Sequence, residues 1–165
     1  MNEFERIGLL GELLTQYRLA EYGVKSFLTN QPDYDIIAEC EGRLKSIQVK
    51  TRSRPADTMG NVTFKVLREQ DRHMGRGNYT PYNCDVFAFV YLPNQSVLFF
   101  PNNAKLSGGF NVYQFTDEMS ALSAKACGFV SEALHARDAR DTKEDDFFVN
   151  AKVFVLGETH EPEKA

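Results

Sequence analysis

"DYDIIAECEGRLKSIQVKTRSR", residues 33–54, sets two acids on one apolar run and a glutamine and a lysine on the next, with Glu41-Gly42 between them. Side chains alternate between the two faces of a strand, so Asp33 and Asp35 share a face, and so do Gln48 and Lys50. An antiparallel hairpin centred between Glu41 and Gly42 pairs residues symmetrically about that point. Asp35 then lies opposite Gln48, and Asp33 opposite Lys50. A slip of one residue would send the polar residues of one strand to the other face. Read from these residues alone, the face is either the wet side of a surface hairpin, with Lys50 paired to an acid, or a polar site.

The 165 residues suit one domain with a real core and little room for a second. Its core runs from about residue 3 to 137, and a C-terminal extension covers about 138–165. At 42% hydrophobic and 12% aromatic the composition excludes a disordered chain. The longest apolar runs, such as "VFAFVYL", are too short to span a bilayer, and "MNEFERIG" is acidic and polar where a signal peptide is basic and then apolar. The expectation is a cytoplasmic protein with no membrane partner. Cys40, Cys84 and Cys127 have no CxxC spacing, and His73, His135 and His160 are scattered, so neither a disulfide framework nor a zinc site is indicated.

The net charge of -4 would ordinarily argue against a polyanionic partner. Its distribution argues for one. Of the 19 Lys and Arg residues, nine fall between Arg43 and Arg76: Arg43, Lys45, Lys50, Arg52, Arg54, Lys65, Arg68, Arg72 and Arg76. Only three of the 23 acids, Asp57, Glu69 and Asp71, lie in that stretch. The local field decides where phosphate docks. The bland alternative is a solvated basic face. Tyr79, Tyr82 and His73, in or beside the stretch, could stack on bases or cap a core. "GRGN" at 75–78 lacks the strand-before, helix-after setting of a nucleotide loop.

Along the chain, about Glu3 to Glu21 reads as a helix whose apolar stripe is Phe4, Ile7, Leu10, Leu14 and Tyr17, widened by Leu9 and Leu13, with Gly23 stopping it. Gly8 and Gly11 inside it suggest that the backbone lies close against a sheet. "VKSFLT" is a candidate first strand, followed by the hairpin and a possible strand in "NVTFKVL". "DVFAFVYL" suits a strand buried on both faces, and "PNQ" turns it into "SVLFFP". About Asp117 to Arg137 reads as a second helix weakened by Gly128, and "FFVNAKVFVL" as an edge strand. Helix, strands, helix, strands makes an α/β domain with a central mixed sheet flanked by helices.

"GLLGELL" on the helix, an extended "PDYDIIA" and "IQVKT" on the next strand together resemble the core of the PD-(D/E)XK nuclease superfamily. The nearest likeness is to its group I intron homing endonuclease branch, in which glutamine takes the D/E position. "CDVFAFVYLPNQSVLFFP" is similar to the hairpin that follows the active-site strands there. The resemblance implies a restriction-endonuclease-like core and a magnesium-dependent DNA endonuclease, with Mn2+ able to substitute. It implies that Asp35 ligates the metal, that Glu12 adds a carboxylate directly or through water, and that the Val49 carbonyl is a further ligand. Lys50 would hold or deprotonate the attacking water or stabilise the phosphate's charge, and Gln48 would supply a neutral oxygen where most relatives have a carboxylate. Pro32-Asp33 spells the "PD" literally, so Asp33 is the alternative ligand; the position of Asp35 opposite Gln48 favours Asp35 and leaves Asp33 a supporting role near Lys50. Arg52, Arg54, Lys65, Arg68, Arg72 and Arg76 are the candidate DNA contacts, and pairing of copies into a dimer or tetramer would allow both strands to be cut. The other readings are a catalytically silent nuclease-like module that binds nucleic acid or protein, and a repair or junction-resolving nuclease.

Overall fold

A computed structural model describes residues 1–56, 58–69, 79–102 and 109–130. The chain opens with α1 (Glu3–Glu21), started by a capping box in which Asn2 and Glu5 each bond the other's backbone N–H. Gly23, at φ 76°, takes the left-handed position just past its end.

The helix runs where the periodicity predicts, but of the expected stripe only Leu14 packs against the core cluster. Phe4 is 84% exposed and Tyr17 58%, and Leu10 and Leu13 are exposed too. The side against the sheet is Gly11, Thr15 and Leu19. Small residues win there because the helix backbone comes down onto a strand. A Cβ on Gly11 would sit 1.9 Å from Thr51 Oγ1, whereas one on Gly8 would meet nothing within 4 Å. The close-approach expectation therefore holds at Gly11 and fails at Gly8. Gly11→Ala should lower unfolding free energy by about 1–3 kcal/mol through overpacking, with partial recovery when Thr51→Ala is added. Gly8→Ala should be neutral or stabilising by up to about 1 kcal/mol, because only helix propensity changes. Urea unfolding of the variants checks both.

Strands β1 (Lys25–Leu28), β2 (Ile36–Cys40), β3 (Arg43–Arg52), β7 (Val86–Tyr91) and β8 (Ser96–Pro101) form one sheet in the order β1-β2-β3-β7-β8. Three pairings are antiparallel and β3–β7 is parallel, so the sheet is mixed. The β2–β3 register pairs Ile36 with Ile47 and Cys40 with Arg43. Glu41 and Gly42 have φ 50° and 76°, the two left-handed residues of a type I′ hairpin turn. The strand expected over "NVTFKVL" is interrupted: β4 covers only Asn61–Val62, residues 63–66 carry no regular structure, and β5 (Leu67–Glu69) begins at its last residue; the two pair with β9 (Phe110–Asn111) and β6 (Tyr79–Pro81).

Both faces of β7 are buried. On one face, Ile36, Ile47, Val49, Ala88, Val90, Val97 and Phe99 pack under α1 and α2 (Asp117–Ala126) through Leu19, Ala124, Cys127 and Phe129. On the other, Phe87, Phe89, Leu98 and Phe100 meet Phe64, Phe110 and Phe115 in an aromatic cluster. The two helices thus flank one face, and irregular segments cover the other. The second helix ends at Ala126, short of the predicted Arg137, because Gly128 takes φ 77°. The expected edge strand in 147–156 lies outside the described residues.

Candidate active site

The strand pairing stops at Ile36–Ile47, and Asp35 is the next residue outward. Its backbone is held from both sides: Asp35 N–H donates to Ile47 O at 2.9 Å, and Asp35 O accepts from Thr29 N–H at 2.8 Å. Its carboxylate consequently meets β3. Oδ2 accepts from Gln48 Nε2 at 2.6 Å and from Val49 N–H at 2.8 Å. Gln48 is buried, and its Nε2 also lies 3.3 Å from Val49 O. The facing of Asp35 and Gln48 predicted from the hairpin is therefore present as a direct hydrogen bond. Asp33 lies beyond the paired strands, in a bend, so no ladder pair places it opposite Lys50.

Glu12 follows Gly11, and the contact of Gly11 with Thr51 brings it beside the strand that carries Lys50. Burial, and then the charge of Asp35, hold the Glu12 carboxyl above its ordinary 4.5. Burial likewise lifts Asp35 above its ordinary 3.8, opposed by the Val49 N–H and the Lys50 charge. Both carboxyls thus bind protons more tightly in the folded chain than in the unfolded one. Stability should fall as pH rises from the ordinary carboxylate range through the raised values. Glu12→Gln removes one of the two charges, so it should melt higher than wild type at neutral pH, with the gain fading as pH drops through the raised Glu12 value toward 4.5 and gone below it. Thermal melts across that range check the sign.

Lys50 follows on the Gln48 face of β3. Its Nζ donates to Tyr82 OH at 2.6 Å and lies 4.0 Å from the ring centroid. Tyr82 stands edge-on to Phe87, 6.0 Å between centroids. Asn102 Nδ2 donates to the carbonyls of Tyr82 and Cys84 at 2.8 and 2.9 Å. The sequence offers no local signal for these contacts, since 32 residues separate Lys50 from Tyr82 and 20 separate Tyr82 from Asn102.

The structure thus brings Glu12, Asp35, Gln48, Val49 and Lys50 together. Arg52 ends β3 and is exposed, as are Arg54 and Lys65. Arg68 lies in β5, and Arg72 and Arg76 are outside the described residues. Among the described residues no three His, Cys, Asp or Glu side chains cluster as a metal site, and no helix is long and apolar enough to cross a membrane.

A mixed five-stranded sheet with helices on one face, and an acid, a glutamine and a lysine where β2 and β3 part, define an α/β protein of the restriction-endonuclease-like class. Residues 11–115 match the PD-(D/E)XK endonuclease family, and the chain belongs to that family. Among solved structures its fold is similar to that of a bacterial homing endonuclease, I-Ssp6803I, with a TM-score of 0.52 at 15% identity over 84% of this chain and 100% of that one. No curated protein sequence matches the chain.

Proposed function

We propose that the protein is a divalent-metal-dependent DNA endonuclease that hydrolyses phosphodiester bonds, in the manner of a homing endonuclease. The observation that carries this reading is the convergence around Gln48. Asp35 Oδ2 and the Val49 carbonyl both face its amide nitrogen, at 2.6 and 3.3 Å, with the Glu12 carboxyl within reach of the Asp35 charge. Oxygen acceptors that meet around one positively polarised group are of the type that can also ligate a hard cation. The Gln48 amide carries an acceptor oxygen as well as its donor nitrogen, so the same side chain can serve beside a cation. Two carboxylates, a carbonyl and an amide suit Mg2+ or Mn2+, which take oxygen ligands and, for Mg2+, retain waters; they do not suit zinc.

A bound divalent ion supplies Lewis acidity to the phosphate and a more acidic water. Asp35 and Glu12 would hold the ion. Lys50, two residues along the same face, would place positive charge against the phosphate or hold the attacking water. Arg52, Arg54, Lys65 and Arg68, with Arg72 and Arg76, would track the phosphate backbone. The exposed stripe of Leu10, Leu13 and Tyr17 on α1, with exposed Phe27 and Leu28 on the outer strand β1, supports a homo-oligomer, dimer or tetramer.

Melting with added cation tests the site without relying on turnover. Mg2+, Mn2+ or Ca2+ should raise the Tm of wild type and leave that of Asp35→Ala unmoved, a cation at 100 times its Kd contributing about 2.7 kcal/mol. A wild-type Tm indifferent to all three would remove the metal from the account.

A further inference from the structure

Lys50 carries the longest and most flexible side chain of this site. A free lysine loses rotamer entropy whenever it is fixed, so an ammonium that must meet a phosphate or a water in one geometry benefits from being held beforehand. We propose that Tyr82 is the positioning residue for Lys50, an inference that rests on the nuclease reading above. Its hydroxyl accepts from Lys50 Nζ at 2.6 Å, and its ring centroid lies 4.0 Å from the same ammonium. One aromatic residue therefore supplies both a charge-assisted hydrogen bond and a cation–π face.

Tyr82 is itself fixed. Its ring stands edge-on to Phe87, which is fully buried in the aromatic cluster, and its carbonyl is tied by Asn102 at the end of β8. The same Asn102 amide reaches the Cys84 carbonyl, so the segment entering β7 is clamped on both sides of Asn83. The clamp joins the core to the hydroxyl, and the hydroxyl joins it to Lys50. Tyr82 also follows β6 directly, so the long basic connection that leaves β3 at Arg52 returns to the site at the residue that grips Lys50.

Tyr82→Phe separates positioning from packing, because it retains the ring on Phe87 and removes only the hydroxyl. Single-turnover cleavage with Mg2+ should slow about tenfold, the order expected for a lost hydrogen bond to a charged group. DNA affinity measured with Ca2+ should stay within about twofold, since the hydroxyl is assigned no DNA contact. Tyr82→Leu, which also removes the ring, should be slower still. A Tyr82→Phe enzyme with the wild-type rate, or one whose loss lies wholly in affinity, overturns the proposal. A second measurement needs no turnover. In wild type, ring current from Tyr82 should displace the Lys50 ε-methylene protons upfield in NMR spectra assigned with Lys50→Ala, and Tyr82→Leu should return them to ordinary values. Ordinary shifts in wild type overturn the positioning whatever the cleavage assays give. If instead wild type cuts no DNA while the upfield shift is present, the nuclease reading fails and the contact stands.

Discussion

Asp35→Ala and Lys50→Ala should each slow DNA cleavage by about a thousandfold or more, with Ca2+-supported DNA binding nearly unchanged. Loss of one preorganised electrostatic group commonly costs 10²–10³ in rate, and loss of a general acid–base group about 10²–10⁴. Asp35 would lose more than its charge on truncation, because its Oδ2 is the acceptor for both the Gln48 amide and the Val49 N–H. Asp35→Asn is the cleaner probe: one oxygen remains for Val49 N–H, and Gln48 can turn its amide to accept from the new one. It should fold as wild type and still fail to cut. Gln48→Ala should be less damaging, since it removes a neutral group. Asp33→Ala should cleave near the wild-type rate. An inactive Asp33→Ala beside an active Asp35→Ala would move the metal site to the literal Pro32-Asp33.

Affinity for DNA should fall by about three orders of magnitude between 50 and 200 mM salt. If about five of the nine basic residues between Arg43 and Arg76 contact phosphates, log K falls with log salt at a slope of roughly -4 to -5. Arg52 and Arg54 are exposed immediately beyond Lys50, the placement required of residues that meet the backbone beside the scissile phosphate. Replacing both with alanine should reduce the slope by about two, with the melting temperature unchanged. A slope near zero, or one indifferent to that pair, would reduce the basic stretch to a solvated face and favour a protein-binding role.

The hairpin was legible because its determinants are local. Alternation fixes faces, and Glu41-Gly42 fixes the centre, so Asp35 and Gln48 could be set opposite one another from sequence alone. The unbroken apolar run of β7 was legible for the same reason. What sequence reading missed depends on partners distant in the chain. The side of α1 that meets the sheet is chosen by the approach of Gly11 to Thr51, 40 positions away, and this leaves the more conspicuous Leu10, Leu13 and Tyr17 outside. The second face of the sheet is closed by Phe64, Phe110 and Phe115, whose segments carry almost no regular structure. For Lys50, pairing with an acid, the common fate of a strand lysine, is only the surface-hairpin alternative, and nothing near it in sequence points to Tyr82. Its bond to Tyr82 arises only when the chain returns to the sheet beside β3.

Incubation of supercoiled plasmid DNA with the purified protein tests the central claim most directly. Nicked or linear product should form with Mg2+ or Mn2+, disappear on chelation with EDTA, and be absent with Asp35→Asn at equal protein concentration. Product that persists in EDTA, or that Asp35→Asn forms at the wild-type rate, would contradict a metal-dependent nuclease built on Asp35.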